Sequence, residues 1–190
     1  GTVGGVSSTA GLLDSDSGLK GSYYKYYIPG VGTPFPEIND LDYSSSGLAF
    51  AKMGEDRINW ALLRIIDALK RSLAAKNDDS SKLSDSATRD ALEAMATSWA
   101  SFGLTGSHNR YETFTDELKK LKPLLGPALQ QPSPTQPKLL AIKLYVYGFS
   151  RGAAAARAFV NWLSELLPVP TGKDEKPEQC LMVDELKIPV

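Results

Sequence analysis

Between residues 55 and 76, apolar side chains return at Ile58, Leu62, Ile65, Leu69 and Leu73, at spacings of four, three, four and four. That is the period of an amphipathic helix. Asp56, Arg57, Arg64, Asp67, Lys70 and Arg71 fall off this stripe. The spacing therefore predicts a helix that covers one face of a sheet and turns a charged face to water. Residues 77–81 are polar and break it. A second helix is expected over residues 85–101, capped by Ser84 or Asp85, with Leu92, Met95, Ala96 and Trp99 along its face. Residues 103–109 read as a loop and residues 111–121 as a short third helix. Residues 123–137 form a proline-rich connector containing QQPSPTQP, which is expected to be exposed.

The remaining pattern is of a different kind. Residues 1–22 carry Gly, Ser and Asp throughout and read as loop. Residues 23–28, YYKYYI, are strand-like by aromatic content, with the tyrosines packed and their hydroxyl tips polar. Residues 29–46 form a turn-rich loop with three prolines. Residues 138–149, KLLAIKLYVYGF, suit a buried parallel strand. Ala153 to Ala156 are small, as a helix packed hard on a sheet requires. Phe159, Leu163, Leu166 and Leu167 continue an apolar stripe at helical spacing.

Where that strand meets that helix the chain reads Gly148-Phe149-Ser150-Arg151-Gly152. G-x-S-x-G between a strand and a helix is the pattern of a nucleophile elbow. A serine hydroxyl is a weak nucleophile at neutral pH; it needs a base beside it and amide donors aimed at the developing oxyanion. A sharp turn lifts Ser150 clear of its neighbours. Gly148 and Gly152, lacking Cβ, let strand and helix approach closely around a strained apex. The helix that follows points its positive end at the site. The Arg151 N–H is the expected first oxyanion donor, and its side chain is expected to pair with an acidic group and hold the turn.

Residues 147–159, YGFSRGAAAARAF, closely resemble the elbow of the lipase effectors of type VI secretion systems. Residues 23–33, YYKYYIPGVGT, resemble a second element of the same catalytic domain, and Gly54-Glu55-Asp56-Arg57-Ile58 before a long helix is a third, weaker match. The matches run from about Tyr23 to the end of the chain. The resemblance implies an α/β-hydrolase-like fold: a mostly parallel sheet with flanking helices, incomplete in this chain. On that reading residues 1–190 are a partial catalytic domain, with about residues 55–137 a helical insertion or cap plus connector. It implies a Ser-Asp-His triad, phospholipid ester hydrolysis at a membrane surface, and secretion by a bacterial type VI system into the periplasm of a target cell. It also implies a cognate immunity protein as partner.

The sequence departs from that pattern in its triad. α/β-Hydrolases place serine, acid and histidine in that order, and the one histidine here, His108, precedes Ser150 in a polar stretch. Asp174 reads as solvated surface, while Asp184 stays open as an acid. In the relatives a segment like LKIPV leads into the strand that carries the acid, and residues 186–190 are the last here. The relatives also begin with a strand ending Asp-Gly-Thr near the oxyanion hole; Gly1 and Thr2 are weak candidates for its tail. The 190 residues are therefore expected to be one piece of a larger protein, with the catalytic Asp and His outside this chain, the remainder being either another chain or a region absent from this sequence.

Composition narrows the partners. A net charge of −1 gives no basic surface for nucleic acid. No run of about 18 apolar residues is present to cross a bilayer. One Cys and one His make a zinc site within the chain improbable. No cofactor is expected, although calcium held by Asp and Glu stays open. The excess chain between the two family-like stretches could form a lid; Met95, Trp99, Phe102 and Leu104 are candidates for its apolar surface, with core packing the stronger reading. Three functions compete: a phospholipase A-type serine hydrolase, a noncatalytic piece that binds the rest of the effector or an immunity protein, and a carboxylesterase for small soluble esters.

Overall fold

The structure, a computed structural model, describes residues 7–9, 23–41, 47–74, 81–97, 105–130, 138–168 and 179–190. Among them are five α-helices: α1 (Gly47–Leu73), α2 (Asp85–Met95), α3 (Gly106–Lys119), α4 (Lys122–Gln130) and α5 (Arg151–Ser164). The described strands form two antiparallel pairs, β1 (Ser7–Thr9) with β2 (Tyr23–Lys25) and β3 (Cys180–Val183) with β4 (Leu186–Pro189). The expected α/β-hydrolase-like parallel sheet is therefore corrected: the chain is mostly helical. Residues 138–149, read as its buried central strand, run extended without joining a ladder. The apolar pattern identified an extended segment, but a strand forms only where a neighbour takes up its backbone groups along its length, and the one bond from this segment to a described strand is Ile142 N–H to Pro189 O of β4.

Helix α1 is the centre of the molecule. α2, α3, α4, α5 and the short 3-10 turn Pro36–Ile38 all pack against it. Its apolar stripe, Ile58, Leu62, Ile65, Leu69 and Leu73, is buried as the spacing predicts, together with Trp60, Leu63 and Ile66. The same core takes in Leu92 and Met95 of α2, Phe114 and Leu118 of α3, Leu125 of α4, Phe159 and Leu163 of α5, and Leu181, Val183, Leu186 and Ile188 of the terminal hairpin. Met95, a lid candidate, is fully buried in this core; Trp99, Phe102 and Leu104 lie outside the described residues.

Most of the charged face of α1 is withdrawn from water, only Asp56 and Lys70 being half-buried. Arg57, Arg64, Asp67 and Arg71 are all buried. The N-terminal segment covers them. The Tyr26 hydroxyl donates to Asp67 Oδ2 at 2.7 Å, and the Leu83 N–H donates to its Oδ1 at 2.7 Å. Burial pushes the Tyr26 hydroxyl pKa well above its ordinary value, and the Asp67 contact adds to that; burial pulls the Arg64 guanidinium down. Four arginines lie over aromatic rings: Arg57 on Phe35 (5.6 Å), Arg64 on Trp60 (4.6 Å), Arg71 on Tyr24 (4.7 Å) and Arg110 on Trp162 (3.8 Å). Such stacking suits a guanidinium, which is planar and weakly hydrated.

Local chemistry sets the other elements. Ser84 caps α2, its hydroxyl accepting from the Ala87 N–H. α3 begins at Gly106, so the second half of the expected 103–109 loop is helical. The proline-rich connector is likewise helical up to Gln130: Pro123 stands in the first turn, where a missing N–H costs nothing, and Pro127 is carried inside. Residues 131–137 lie outside the described residues. The β3–β4 hairpin turns through Asp184 and Glu185, with Asp184 at φ 51°, the positive φ that tight two-residue turns favour.

Candidate active site

Residues 138–142 are anchored on two sides. The Leu139 N–H donates to Ala128 O of α4 (3.1 Å) and the Ile142 N–H to Pro189 O of β4 (2.8 Å). From there the chain runs outward to Ser150, which caps α5. Ser150 has φ 54° and ψ −125°, a conformation that L-residues rarely adopt and that costs of order 1–3 kcal/mol. The turn is closed by Gly152 N–H to Phe149 O (2.8 Å) and Ala153 N–H to Ser150 O (2.9 Å). A Cβ on Gly148 would lie 2.2 Å from Gly152 O and 2.7 Å from Ala153 N, so only glycine fits there. A Cβ on Gly152 would meet nothing within 4 Å among its surroundings. The Ser150 side chain is exposed, and it makes no capping bond to α5. Arg151, also exposed, opens the helix, placing its backbone N–H and the positive end of α5 beside the serine.

The two other family-like stretches meet each other. Arg57 donates through Nε to Pro29 O (3.0 Å), through one terminal nitrogen to Met53 O (3.2 Å), and through the other to Thr33 O (2.5 Å) and Asp40 Oδ2 (2.8 Å). The loop of residues 29–33 is thereby fixed to α1. This clamp was missed in the sequence, where Arg57 read as a solvent-facing charge; the signal was Arg57, Arg64 and Arg71 at intervals of seven beside a tyrosine-rich segment. A second missed group is Arg110 of α3, stacked on Trp162 of α5 with Glu55 at 3.8 Å and Glu165 at 3.4 Å. Glu55 also accepts from the Thr97 N–H (3.1 Å). This network ties α1, α3 and α5 together and so holds the helix that presents Ser150.

The candidate acid and base lie in exposed settings. His108 is on α3 rather than in a loop; its Nε2 sits 3.3 Å from Glu112 Oε1 at an exposed position one turn on. Asp184 is at the hairpin tip, ion-paired to Lys122 of α4. The Lys122 hydrogen bond holds the Asp184 carboxyl below the usual range and Lys122 above its own. No hydrogen bond among the described residues joins Ser150 to either. Gly1, Thr2 and Asp174 lie outside the described residues. Among the described residues no group of three His, Cys, Asp or Glu side chains converges as a metal site would require, and no helix is long and apolar enough to cross a membrane.

No family model matches this sequence, and no curated protein matches it. Among solved structures, the chain is similar to the crystal structure of an uncharacterized protein from Pseudomonas aeruginosa, at 33% identity and a TM-score of 0.67. The match covers 98% of this chain and 26% of that one, so the chain spans about a quarter of the length of the protein it resembles. Identity and superposition at this level show a shared architecture.

Proposed function

We propose that this chain carries the nucleophile of a lipolytic serine hydrolase, with Ser150 attacking a carboxylic ester. The observation that supports it most is Ser150 itself. An exposed serine is held at φ 54°, ψ −125° at the N-terminus of α5, on a turn that only Gly148 permits. A serine that merely capped a helix would take an extended conformation and bond its hydroxyl to the helix N–H groups; this one does neither. Strain of this sort persists where a side chain must be aimed.

In the reaction, Ser150 Oγ attacks the ester carbonyl carbon while a histidine takes its proton. The oxyanion is held by the Arg151 N–H and the α5 dipole. The same histidine protonates the departing alcohol, and water then cleaves the acyl-enzyme by the reverse sequence. On this reading the histidine and its acid come from polypeptide outside this chain; His108, the chain's one histidine, lies on α3 at an exposed position 3.3 Å from Glu112. The sequence resemblance extends the reading to a phospholipase A-type effector of a type VI secretion system. Such an effector would act on phospholipid in a target periplasm and be restrained by an immunity protein.

Fluorophosphonate labelling read by peptide mass spectrometry tests the assignment. Ser150 is the expected site of the adduct in the assembled protein, and Ser150→Ala should abolish both adduct and ester cleavage with the helical signal unchanged. Normal turnover by Ser150→Ala would end the proposal. Faster cleavage of phospholipid in vesicles than of short soluble esters separates a lipase from a small-ester esterase.

A further inference from the structure

Helix α5 is buried in the core at one end only. Its buried residues, Phe159 and Leu163, and Leu166 just beyond it, lie in its second half or after it, while residues 151–158 include none that is buried. The angle at which the helix leaves the core is therefore set near its last turn, and Arg110 of α3 meets that turn. The Arg110 guanidinium lies 3.8 Å from the centre of the Trp162 ring, with Nη2 3.4 Å from Glu165 Oε2 and Nη1 3.8 Å from Glu55 Oε1 of α1. A cation is also favoured at this end of a helix, where the macrodipole is negative. Arg110 stands on a fixed platform. It is itself buried, the neighbouring Asn109 donates to Ala96 O at the end of α2 (2.9 Å), and Phe114 one turn on lies in the core. Gly106, one turn earlier, leaves room for the guanidinium: a Cβ there would lie 3.2 Å from Nη1.

We propose that Arg110 is a positioning residue: by fixing the last turn of α5 it aims Ser150 at the ester. This role rests on Ser150 being the nucleophile. Trp162 stands about 18 Å from Ser150 along the helix axis, at about 1.5 Å per residue. A rotation of about 5° at that anchor would carry Ser150 through about 1.6 Å over such an arm. Misplacing a reacting atom by about 1 Å costs on the order of a hundredfold in rate. Burial of Phe159 and Leu163 holds the helix against the core, but hydrophobic attraction has no direction of its own and leaves the tilt loosely defined. A guanidinium does have direction. Its planar face lies on the Trp162 ring and its fork reaches carboxylates on α1 and beside the end of α5. Arg110 thus acts through α5 and not by contact with the ester.

Fluorophosphonate labelling of the assembled protein, followed in time, tests it with Arg110→Met. The rate constant of adduct formation at Ser150 reports how the serine is aimed, and the final extent of labelling reports how much protein is folded. The expected result is a fall of about a hundredfold in the rate constant with the final extent unchanged. Ester turnover should show the same split, with kcat falling by a like factor and KM held, as when an interaction made in the transition state is lost. Residual dipolar couplings of the backbone amides should show the α5 axis turned by about 5° against α1, enough for that displacement. Arg110→Lys keeps a charge beside Glu55 and Glu165 but lacks the planar face. It should show a smaller fall of about tenfold, and it decides the matter if Arg110→Met does not fold. A lower final extent at the parent rate would mean that Arg110 only stabilises the fold, and it overturns the proposal. So does a parent-like rate in the folded variants, or an α5 axis that does not move. Each of these leaves the hydrolase reading standing, whereas absence of a Ser150 adduct in the parent protein ends both.

Discussion

Replacing Arg57 with Met keeps most of the apolar stem and removes the guanidinium. Arg57 and Asp40 are 3% and 1% exposed at their side chains. Asp40 Oδ1 has no partner, so the carboxylate depends on Arg57 through Oδ2. The carbonyls of Pro29, Thr33 and Met53 lose a donor at the same time. Breaking a buried pair from one side leaves a lone buried charge and costs about 3–5 kcal/mol. For a chain of this size that corresponds to a fall in Tm of roughly 6–20 °C. Urea unfolding followed by circular dichroism should show a lower midpoint at unchanged slope. The double variant Arg57→Met, Asp40→Leu removes both charges and should recover much of the loss, ending about 2 kcal/mol below the parent because the loop carbonyls still lack their donor. A single variant that loses less than about 1 kcal/mol, or a double variant worse than the single, would refute the clamp.

Three further outcomes are expected. Gly148→Ala puts a methyl 2.2 Å from a backbone oxygen and should displace the amide resonances of residues 148–153 at a cost of about 1–3 kcal/mol; Gly152→Ala meets open space and should be neutral or stabilising by up to about 1 kcal/mol, and equal behaviour of the two would contradict the turn geometry. Asp184, held below its ordinary pKa by Lys122, contributes stability that is present above the unfolded value of about 3.9 and is lost as pH falls through the lower folded value; Lys122→Ala should move the Asp184 carboxyl titration seen by NMR upward, and an unmoved titration would dissolve the pair. Leu63→Ala, at a fully buried position of α1, should cost about 2–5 kcal/mol, against less than about 0.5 kcal/mol for Val160→Ala on the exposed face of α5; thermal melts that rank them otherwise would displace α1 from the centre.

What the sequence disclosed followed from local rules. The α1 stripe, the Ser84 cap and the extended-turn-helix arrangement around Ser150 depend on neighbours within a few positions, and each is present. Errors came where partners are remote. A helical stripe of Arg57, Arg64, Asp67 and Arg71 reads as solvent-facing because nothing local says that Tyr24, Tyr26, Pro29, Thr33 and Asp40 will cover it. Residues 138–149 read as a buried strand for the same reason in reverse: the apolar pattern is there, yet Leu144 to Phe149 are exposed and no described residue pairs with their backbone as a strand would. Prolines at 123 and 127 suggested a connector, yet one sits where a helix tolerates it and the other is outweighed by the packing of Leu125 and Ala128. The tight turn at Ser150 was legible as geometry, while the candidate base and acid, His108 and Asp184, lie elsewhere and neither is bonded to it.

The four arginines stacked on rings have a consequence for how the molecule meets electrolyte. Counter-ions weaken charges they can surround, within a Debye length of about 10 Å at 0.1 M salt. Arg57, Arg64, Arg71 and Arg110 are all under a tenth exposed, and apart from the exposed Glu165 beside Arg110 their partners are ring faces, carbonyls and largely buried carboxylates that mobile ions reach poorly. The pairs that salt can reach, such as Lys119 with Asp116 and His108 with Glu112, are exposed and contribute little. The helical body should therefore keep its cohesion from dilute medium to brine. Its cations act as interior building material, shielded from the ionic strength outside.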